Sequence, residues 1–410
     1  MELRIFPGWW VVAAVFLVLS AASGLIFYGL AVYLDALTDE QPFSTTSVSL
    51  ATSAFFIVAG VAGRVIAPII ETRDIRLVIA LGAVLGGASL AVLGTVDSLV
   101  ELYMVYIVLA LGFAMAGLLP ATTLVTRWFH RRRALALAIA STGLSVGGLT
   151  YTQFAAWLIG DRSLADAAPI LGLVFLVSIL AMLPLLIPSP AHRGLEPAGA
   201  ETAANDGTVD GIDYDTAIRT RFFIVVLIGF VLAMGAQVGG LSQIANLGSE
   251  RVDSSTGALA VSAIAVGSAI GRLVGGSFAD RLPLVTFTIV LAVVQGVTLI
   301  GIAFADARIA LLIVAFCFGT TIGNLLMLQP LLIASAFGVK AYPRIFAFQQ
   351  LIITLGIAGG PLLLGALRDA SSYRASYVVS GLLSMAAAAV MAASGTRQPT
   401  PASVVQRSSG

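Results

Sequence analysis

Residues 59–71 read Ala-Gly-Val-Ala-Gly-Arg-Val-Ile-Ala-Pro-Ile-Ile-Glu, and residues 269–281 read Ala-Ile-Gly-Arg-Leu-Val-Gly-Gly-Ser-Phe-Ala-Asp-Arg. Each stretch lies near the end of a long apolar run, contains one arginine within that run and includes a carboxylate at its end. Arg64 and Arg272 are 208 residues apart, which is close to half of the 410-residue chain. The repeat indicates a duplicated membrane bundle with one arginine in each half, an arrangement typical of transporters.

The composition places the chain in a membrane. Apolar residues make up 59% of it and charged residues only 10%, with a mean hydropathy of +1.01, whereas a soluble domain carries about a quarter charged residues. A helical span needs roughly 20 apolar residues, and the alternation of membrane strands is missing. We therefore predict an all-α membrane protein with twelve transmembrane helices. The predicted spans are 9–36, 46–70, 76–96, 100–126, 134–160, 168–188, 220–246, 255–279, 284–305, 308–334, 345–368 and 373–394.

The distribution of arginine and lysine predicts the orientation. With both termini inside, 15 of the 22 Lys and Arg residues fall in inner segments and five in outer segments, and the remaining two are Arg64 and Arg272. Because cytoplasmic loops carry the excess of positive residues, both termini are expected in the cytoplasm. The protein is accordingly expected to be a multi-pass protein of the cell membrane, which is the inner membrane in a Gram-negative cell.

Composition along the chain predicts four parts. Residues 1–188 form an N-terminal six-helix bundle, and residues 220–394 form a C-terminal six-helix bundle. Residues 189–219, rich in Pro, Gly, Ala, Asp and Glu, are predicted to be a flexible cytoplasmic linker, and residues 395–410 a disordered cytoplasmic tail. Two pseudo-symmetric bundles with a substrate site at the midplane are the known architecture of alternating access.

The sequence disfavours a metal site, an enzyme and a nucleic-acid-binding protein. Cys317 is the only cysteine, and both histidines, His130 and His192, lie in predicted cytoplasmic segments. No cluster of His, Asp and Glu falls within a span, so we expect no metal, no cofactor and no enzymatic activity. A net charge of +1 argues against nucleic acid. The expected partners are the bilayer and a small organic anion, and we expect a monomer.

Arg272 carries the functional prediction. It lies eight residues before Asp280, so at ~1.5 Å per residue it is about 12 Å from the cytoplasmic end of its span. A charge at that depth costs at least ~2.5–3.5 kcal/mol and persists only when it faces a cavity or a partner. The sequence offers no carboxylate deep within a span to pair with Arg272, which suggests that the substrate supplies the negative charge. A guanidinium can hold a carboxylate through two parallel hydrogen bonds, so we predict a small organic acid. The alternative is an arginine that snorkels to the surface or bonds to carbonyls.

Arg64 is the equivalent arginine of the first half. It precedes Glu71 by seven residues, which puts both on one helix face about 10 Å apart. The side chain could snorkel, pair with Glu71 or act as a second anion contact, and a structural or gating role is favoured over direct binding. If both arginines faced one cavity, a dicarboxylate would be plausible.

Glycines at four-residue spacing predict where helices approach closely. Gly267, Gly271 and Gly275 form such a ladder on the eighth predicted span. Similar pairs are Gly143 with Gly147 on the fifth span and Gly356 with Gly360 on the eleventh. Ladders of this kind let membrane helices pack backbone against backbone.

Three segments carry a family resemblance. Residues 6–12 read Phe-Pro-Gly-Trp-Trp-Val-Val, residues 126–133 read Thr-Arg-Trp-Phe-His-Arg-Arg-Arg, and residues 359–369 read Gly-Gly-Pro-Leu-Leu-Leu-Gly-Ala-Leu-Arg-Asp. In this order they resemble the opening, the loop before the fifth helix and the end of the eleventh helix in the monocarboxylate transporter family. That family belongs to the major facilitator superfamily, and the chain resembles a bacterial-type member. The resemblance implies the major facilitator fold and a substrate carboxylate held by the eighth-helix arginine, here Arg272.

The same resemblance suggests further site residues. Because the first, seventh and tenth helices line the cavity in the family, Tyr28 and Asn324 are candidates for substrate binding. Ser268 lies one turn before Arg272, where family members carry an acid or an amide. The superfamily's cytoplasmic latch motif, Gly-x-x-x-Asp-Arg, is intact as Gly276, Asp280 and Arg281, but its first copy is reduced to Ala67, Glu71 and Thr72. Glu71, Asp280 and Arg281 are therefore the predicted latch residues.

Coupling and substrate class stay open at this level. Some relatives have a first-helix lysine and an eighth-helix aspartate for proton handling, and Phe27 and Ser268 occupy those places here. Facilitated diffusion, exchange against another anion and proton-linked transport all remain compatible with the sequence. The main alternative function is a multidrug or other small-molecule exporter of the same superfamily.

Overall fold

The computed structural model describes residues 6–41, 43–198, 211–279 and 281–393. All regular elements of the described residues are helical, and we number the α-helices α1–α15 in chain order. Those of the first half are α1 Gly8–Ala21, α2 Gly29–Glu40, α3 Thr45–Thr72, α4 Ile75–Val92, α5 Leu99–Ala116, α6 Leu118–Trp128, α7 Arg133–Asp161 and α8 Leu164–Leu180. Those of the second half are α9 Tyr214–Arg219, α10 Arg221–Arg251, α11 Ser254–Ala279, α12 Leu284–Phe304, α13 Arg308–Phe337, α14 Tyr342–Ala370 and α15 Tyr373–Ala392.

Eleven helical stretches of the described residues are long and apolar enough to cross a membrane. Two of them combine elements: Gly8–Glu40 contains α1, a π-helical turn at Ala22–Phe27 and α2, and Leu99–Trp128 contains α5 and α6. The predicted sixth span, 168–188, corresponds to α8, which is apolar but has only 17 residues. The helix ends at Leu180 and is followed by turns at residues 181–185. The number of twelve spans therefore remains a prediction, as does the cytoplasmic position of the termini.

The chain divides into two compact units. Unit 1 comprises Met1–Arg131 and Ile139–Glu201, and unit 2 comprises Arg132–Ala138 and Thr202–Gly410. In unit 1, Gly143 and Gly147 of α7 lie directly against the backbone of Phe16 and Ser20 in α1. In unit 2, Gly356 and Gly360 of α14 lie against Val231 and Gly235 of α10. The predicted glycine ladders are thus confirmed as close-packing surfaces.

The described ends of the predicted flexible linker are folded. At its start, Pro190–Arg193 form a 3₁₀ turn, and the amide of Ala198 donates to the carbonyl of Trp128 at 3.0 Å. At its end, the amide of Ile212 donates to the carbonyl of Phe337 at 3.0 Å, immediately before α9. Each segment has a backbone amide that donates to a carbonyl of the adjoining unit, so both ends of the predicted linker are held in place. Residues 199–210 and the predicted tail 395–410 lie outside the described residues.

Gln295 joins four helices in the core of unit 2. The side chain on α12 is fully buried. Its Nε2 donates to the carbonyl of Ala233 in α10 and to Oγ of Ser384 in α15, both at 3.0 Å. Thr321 of α13 donates to Oε1 at 3.5 Å. Because lipid offers no water for polar groups, such bonds hold helices together.

We expect Gln295→Met to lower the stability of the folded protein. The change preserves the volume but leaves the buried carbonyl of Ala233 and the hydroxyl of Ser384 without their shared donor, at a cost of about 1–3 kcal/mol. The thermal unfolding midpoint in detergent should fall by several degrees. Thr298→Val serves as control, because that hydroxyl is bonded only to carbonyls of its own helix. An unchanged midpoint for Gln295→Met would contradict the role of this network.

Candidate functional site

Arg272 lies in the interior of unit 2 near the end of α11. The residue is only 3% exposed, and it precedes the last residue of α11, Ala279, by seven positions. At ~1.5 Å per residue the α-carbon is about 10 Å from the end of the helix. Nε of Arg272 donates to the carbonyl of Gly323 in α13 at 3.4 Å. The guanidinium is therefore held at depth within the bundle, against the backbone of a neighbouring span.

A glycine on α13 makes this placement possible. A side chain at Gly323 would overlap the carbonyl of Ser268 and would meet Cβ of Arg272 at 3.0 Å and Oγ of Ser268 at 3.1 Å. Gly323 therefore brings Ser268 and Arg272, one turn apart on α11, against α13. Ser268 is 6% exposed. Gly323 was not among the predicted residues, although its spacing of four from Gly319 is the signal that would have identified it.

The same seam contains Asn324. Its Nδ2 donates to the carbonyl of Gly271 in α11 at 2.7 Å and to the carbonyl of Thr320 in its own helix at 2.8 Å. Its Oδ1 is buried without a hydrogen-bond partner and lies against Gly275. The amide of Asn324 thus connects α13 to α11, at the backbone carbonyl of the residue that precedes Arg272.

Tyr28 belongs to unit 1, at the end of the π-helical turn Ala22–Phe27. Its ring packs edge-on against Phe27 at 5.0 Å between centroids and lies next to Gly148 of α7. Tyr28 is 44% exposed, in contrast to Arg272. The sequence contained no signal for the π turn, because its residues, Ala-Ser-Gly-Leu-Ile-Phe, are of the same types as those of the adjoining helices.

The π turn is anchored by hydroxyl groups. Thr152 of α7 donates to the carbonyl of Gly24 at 2.9 Å, and Tyr33 of α2 donates to the carbonyl of Leu25 at 2.6 Å. Ser23 donates to the carbonyl of Leu144 at 2.9 Å. Irregular backbone at membrane depth requires such partners, and π turns occur often at functional positions.

The predicted gate and latch residues lie in different surroundings. Arg64 is exposed on α3, unlike its repeat equivalent Arg272. Glu71, at the end of α3, interacts electrostatically with Arg127 of α6, which also donates to the carbonyl of Ile70 at 3.1 Å. Arg281 is exposed in the turn after α11, and Asp280 lies outside the described residues.

Asp74 is an acid beside the first latch segment that the prediction did not include. Its carboxylate caps α4 and accepts hydrogen bonds from the amide of Arg76 at 2.9 Å and from the guanidinium of Arg76 at 2.7 Å. The hydrogen bond from the Arg76 side chain holds the pKa of Asp74 below its usual value. Asp74 therefore stays ionised at neutral pH and fixes the start of α4.

Across the described ranges, no group of three or more His, Cys, Asp and Glu side chains could hold a metal ion. The guanidinium of Arg272 and the hydroxyl of Ser268 lie one turn apart on α11, against Gly323 of α13. Both groups can donate hydrogen bonds to an anion.

Comparison with known protein families gives a match to the Major Facilitator Superfamily over residues 14–335 and 226–409. Among curated proteins, human monocarboxylate transporter 11 is 27% identical over 407 residues, which cover 92% of this chain and 81% of that protein. Monocarboxylate transporter 13 of Rattus norvegicus is 24% identical over 326 residues, covering 77% and 72% of the two chains. The probable transporter MCH2 of Saccharomyces cerevisiae is 24% identical over 328 residues, covering 78% of this chain and 66% of that protein.

Solved structures show the same fold at lower identity. The human organic anion transporter MFSD10 aligns with a TM-score of 0.74 at 15% identity, covering 94% of this chain and all of that one. The fucose:proton symporter FucP of E. coli aligns with a TM-score of 0.71 at 15% identity, covering 94% and 98%. These relatives and structural neighbours are transporters and not enzymes.

Proposed function

The chain belongs to the major facilitator superfamily, and from that membership we propose that it carries a small organic carboxylate across the membrane by alternating access. The transported class is a monocarboxylate, and Arg272 binds its carboxylate group. The protein acts as a monomer in the cell membrane. A co-transported proton or an exchanged anion is the second partner.

The buried guanidinium of Arg272 carries this proposal. Burying a charge at this depth costs at least ~2.5–3.5 kcal/mol, and intramembrane charges of this kind mark substrate and ion pathways. Arg272 is 3% exposed and well inside a spanning helix. Burial disfavours the snorkelling alternative, because an arginine that reached the membrane surface would be exposed. The other alternative, bonding to carbonyls, is met by Nε, which donates to the carbonyl of Gly323 at 3.4 Å. A guanidinium keeps its charge at every physiological pH, so its binding of an anion needs no proton.

The geometry of the guanidinium is suited to a carboxylate. Its planar fork of five N–H donors matches the two oxygens of a carboxylate. The Ser268 hydroxyl, one turn away, supplies a further donor for a hydroxyl or keto group on the substrate. Tyr28 and Asn324 are further proposed contacts. The amide donors of Asn324 are already bonded to backbone carbonyls, so Asn324 would contact the substrate through its oxygen or after a rearrangement. Two relatives are named monocarboxylate transporters, which supports the same class.

The difference in burial between the two repeated arginines, Arg64 and Arg272, bears on the number of charges that the substrate carries. Arg64, the equivalent residue of the other half, is exposed. Binding of a dicarboxylate would need a second buried cation. We therefore assign Arg64 to gating or to a second anion contact outside the primary site, and Glu71, Asp280 and Arg281 to the cytoplasmic latch.

Uptake into proteoliposomes tests the proposal. Uptake of radiolabelled lactate, pyruvate, acetate and succinate would be compared with uptake of a lipophilic cation. Each compound would be tested with and without a pH gradient across the membrane, and with and without unlabelled acid inside the liposomes. We expect uptake of one or more monocarboxylates above that of empty liposomes, with stimulation by the gradient or by the trapped acid identifying the coupling. Transport of the lipophilic cation alone would instead establish the exporter alternative and reject the carboxylate assignment.

A further inference from the structure

In the described part of unit 2, the buried side chains of Gln329 and Gln349 have amide groups without a hydrogen-bond partner. Gln329 on α13 is 1% exposed and Gln349 on α14 is fully buried. For both residues, Nε2 and Oε1 lack a hydrogen-bond partner. Gln295, which is equally buried, has its amide bonded to Ala233 and Ser384. Because a primary amide brings two donors and two acceptor lone pairs into the membrane interior, an unsatisfied one is costly.

A third polar group lies in the same turn as Gln329. Pro330 is inside α13 and is buried. Since proline has no N–H, the carbonyl of Leu326 loses the donor that the helix would otherwise supply four residues on. In membrane helices such freed carbonyls are satisfied by neighbouring side chains or by ordered water. The carbonyl of Leu326 and the amide of Gln329 are three residues apart and therefore share one side of α13.

The connection between α13 and α14 brings the two glutamines to similar depth. Only residues 338–341 separate the helices, so α13 and α14 are antiparallel neighbours. Gln329 precedes the end of α13 at Phe337 by eight residues, and Gln349 follows the start of α14 at Tyr342 by seven. At ~1.5 Å per residue, these positions are about 12 Å and 10 Å from the connected ends, within about one helical turn of each other.

This location is separate from the surroundings of Arg272. Thr320 and Asn324 mark the side of α13 that contacts Gly271 and Gly275 of α11. At ~100° per residue, Gln329 lies about 180° from Thr320 and about 140° from Asn324 around the helix. Gln329 therefore faces away from α11. On α14, Gln349 belongs to the buried stripe that includes Ile345 and Ile353.

Aromatic rings close the connected ends of these helices. Phe337 of α13 packs against Phe223 of α10 with ring centroids 6.2 Å apart, and Phe223 stacks on Phe348 of α14 at 6.0 Å. Phe222 adds an edge contact to Phe337 at 6.0 Å. A small polar molecule among α10, α13 and α14 would be enclosed there by apolar groups.

We propose that Gln329 and Gln349 share an internal water site in unit 2, completed by the carbonyl of Leu326. Water has two hydrogens and two lone pairs, so it can donate to the Leu326 carbonyl and to one amide oxygen while accepting from the two amide nitrogens. Buried water typically makes about three such bonds. A carboxylate could not fill this role, because it only accepts. The site is independent of the transported substrate and does not rest on the proposed function.

A double-mutant cycle tests whether the two amides share one site. Thermal unfolding would be measured for the full-length protein, Gln329→Met, Gln349→Met and the double variant, with Gln153→Met at an exposed position of α7 as control. We expect each single variant to lower the midpoint by about 3 °C or more, because it leaves the shared water and the other amide with fewer partners. The double variant should recover at least half of the summed loss, since both unmatched groups are then gone.

Two outcomes of this cycle would overturn the proposal. Additive losses would show that each amide has a partner of its own. Higher midpoints for both single variants would show that each amide is buried dry and that replacing it removes a penalty. The Gln153→Met control should leave the midpoint unchanged, which excludes a general effect of added methionine.

Radiolytic labelling in ¹⁸O water gives a second measurement that needs no variant. Hydroxyl radicals formed from an internal water label the side chains next to it. We expect ¹⁸O label in residues 326–330 of the wild-type protein. The buried apolar segment Leu311–Phe318 of the same helix is the internal reference. Absence of label in Leu326–Pro330 above this reference would reject the water site.

Discussion

Replacing Arg272 by alanine is expected to lower kcat/KM for carboxylate uptake by at least about 100-fold. Hydrogen bonds to charged groups contribute about 1.5–3 kcal/mol each, and the guanidinium is proposed to make two of them to the substrate. Since about 1.4 kcal/mol corresponds to a factor of ten, their joint loss gives at least two orders of magnitude. The measurement is initial uptake in proteoliposomes containing equal amounts of protein.

Two further variants separate binding from structure. Arg272→Lys keeps the charge but loses the planar fork, so uptake should fall by about tenfold and remain measurable. Ser277→Ala on the same helix removes an exposed hydroxyl bonded only to the carbonyl of Leu273 and should leave uptake unchanged. If folded Arg272→Ala transported carboxylates at the wild-type rate, Arg272 would not be the binding residue.

The second large effect concerns the seam between α11 and α13. A side chain at Gly271 would overlap the backbone of Thr320, with its β-carbon 2.5 Å from the Thr320 carbonyl oxygen and 2.6 Å from Cα. Backbone atoms cannot give way like a flexible side chain, so Gly271→Leu must push the helices apart. The shift breaks the 2.7 Å bond from Asn324 to the Gly271 carbonyl and moves Gly323 away from Arg272. We expect a destabilisation of about 3 kcal/mol or more.

Size-exclusion profiles and thermal midpoints measure this effect. Gly271→Leu should give little monodisperse protein, and any that is recovered should unfold about 10 °C below wild type. The matched control is Gly359→Leu on α14, where an added β-carbon meets nothing within 4 Å. That variant should behave like wild type. Equal behaviour of the two leucine variants would contradict the close approach of α11 and α13.

Burial distinguishes the two repeated arginines more clearly than their sequence context does. Arg64 and Arg272 occupy equivalent stretches, and the sequence placed both within spans. In the structure Arg64 is exposed whereas Arg272 is 3% exposed. The difference arises because Gly323 of α13 offers Arg272 a place against the backbone. Hydropathy along a span contains no information about the neighbour that will cover a given position.

The structure brings some of the predicted site residues together, and their role in binding stays a prediction. Ser268 and Arg272 lie together against α13, as their one-turn spacing indicated. Asn324 lies on the same seam, but its donors are bonded to the carbonyls of Gly271 and Thr320, which a residue count along a single helix cannot reveal. Tyr28 follows a π turn that the hydrophobic periodicity of the sequence did not predict. The role of each of these residues in transport stays a prediction.

The sequence by itself determined the membrane class, the helical architecture, most span positions and the glycine ladders. These follow from local quantities, because the apolar length that crosses a bilayer and the four-residue spacing of a packing face can be read along one helix. Only the tertiary structure decided which arginine is buried, which amides are satisfied and where α1 and α2 are joined by a π turn. Each of those depends on atoms supplied by another helix, and no single segment of the chain contains them.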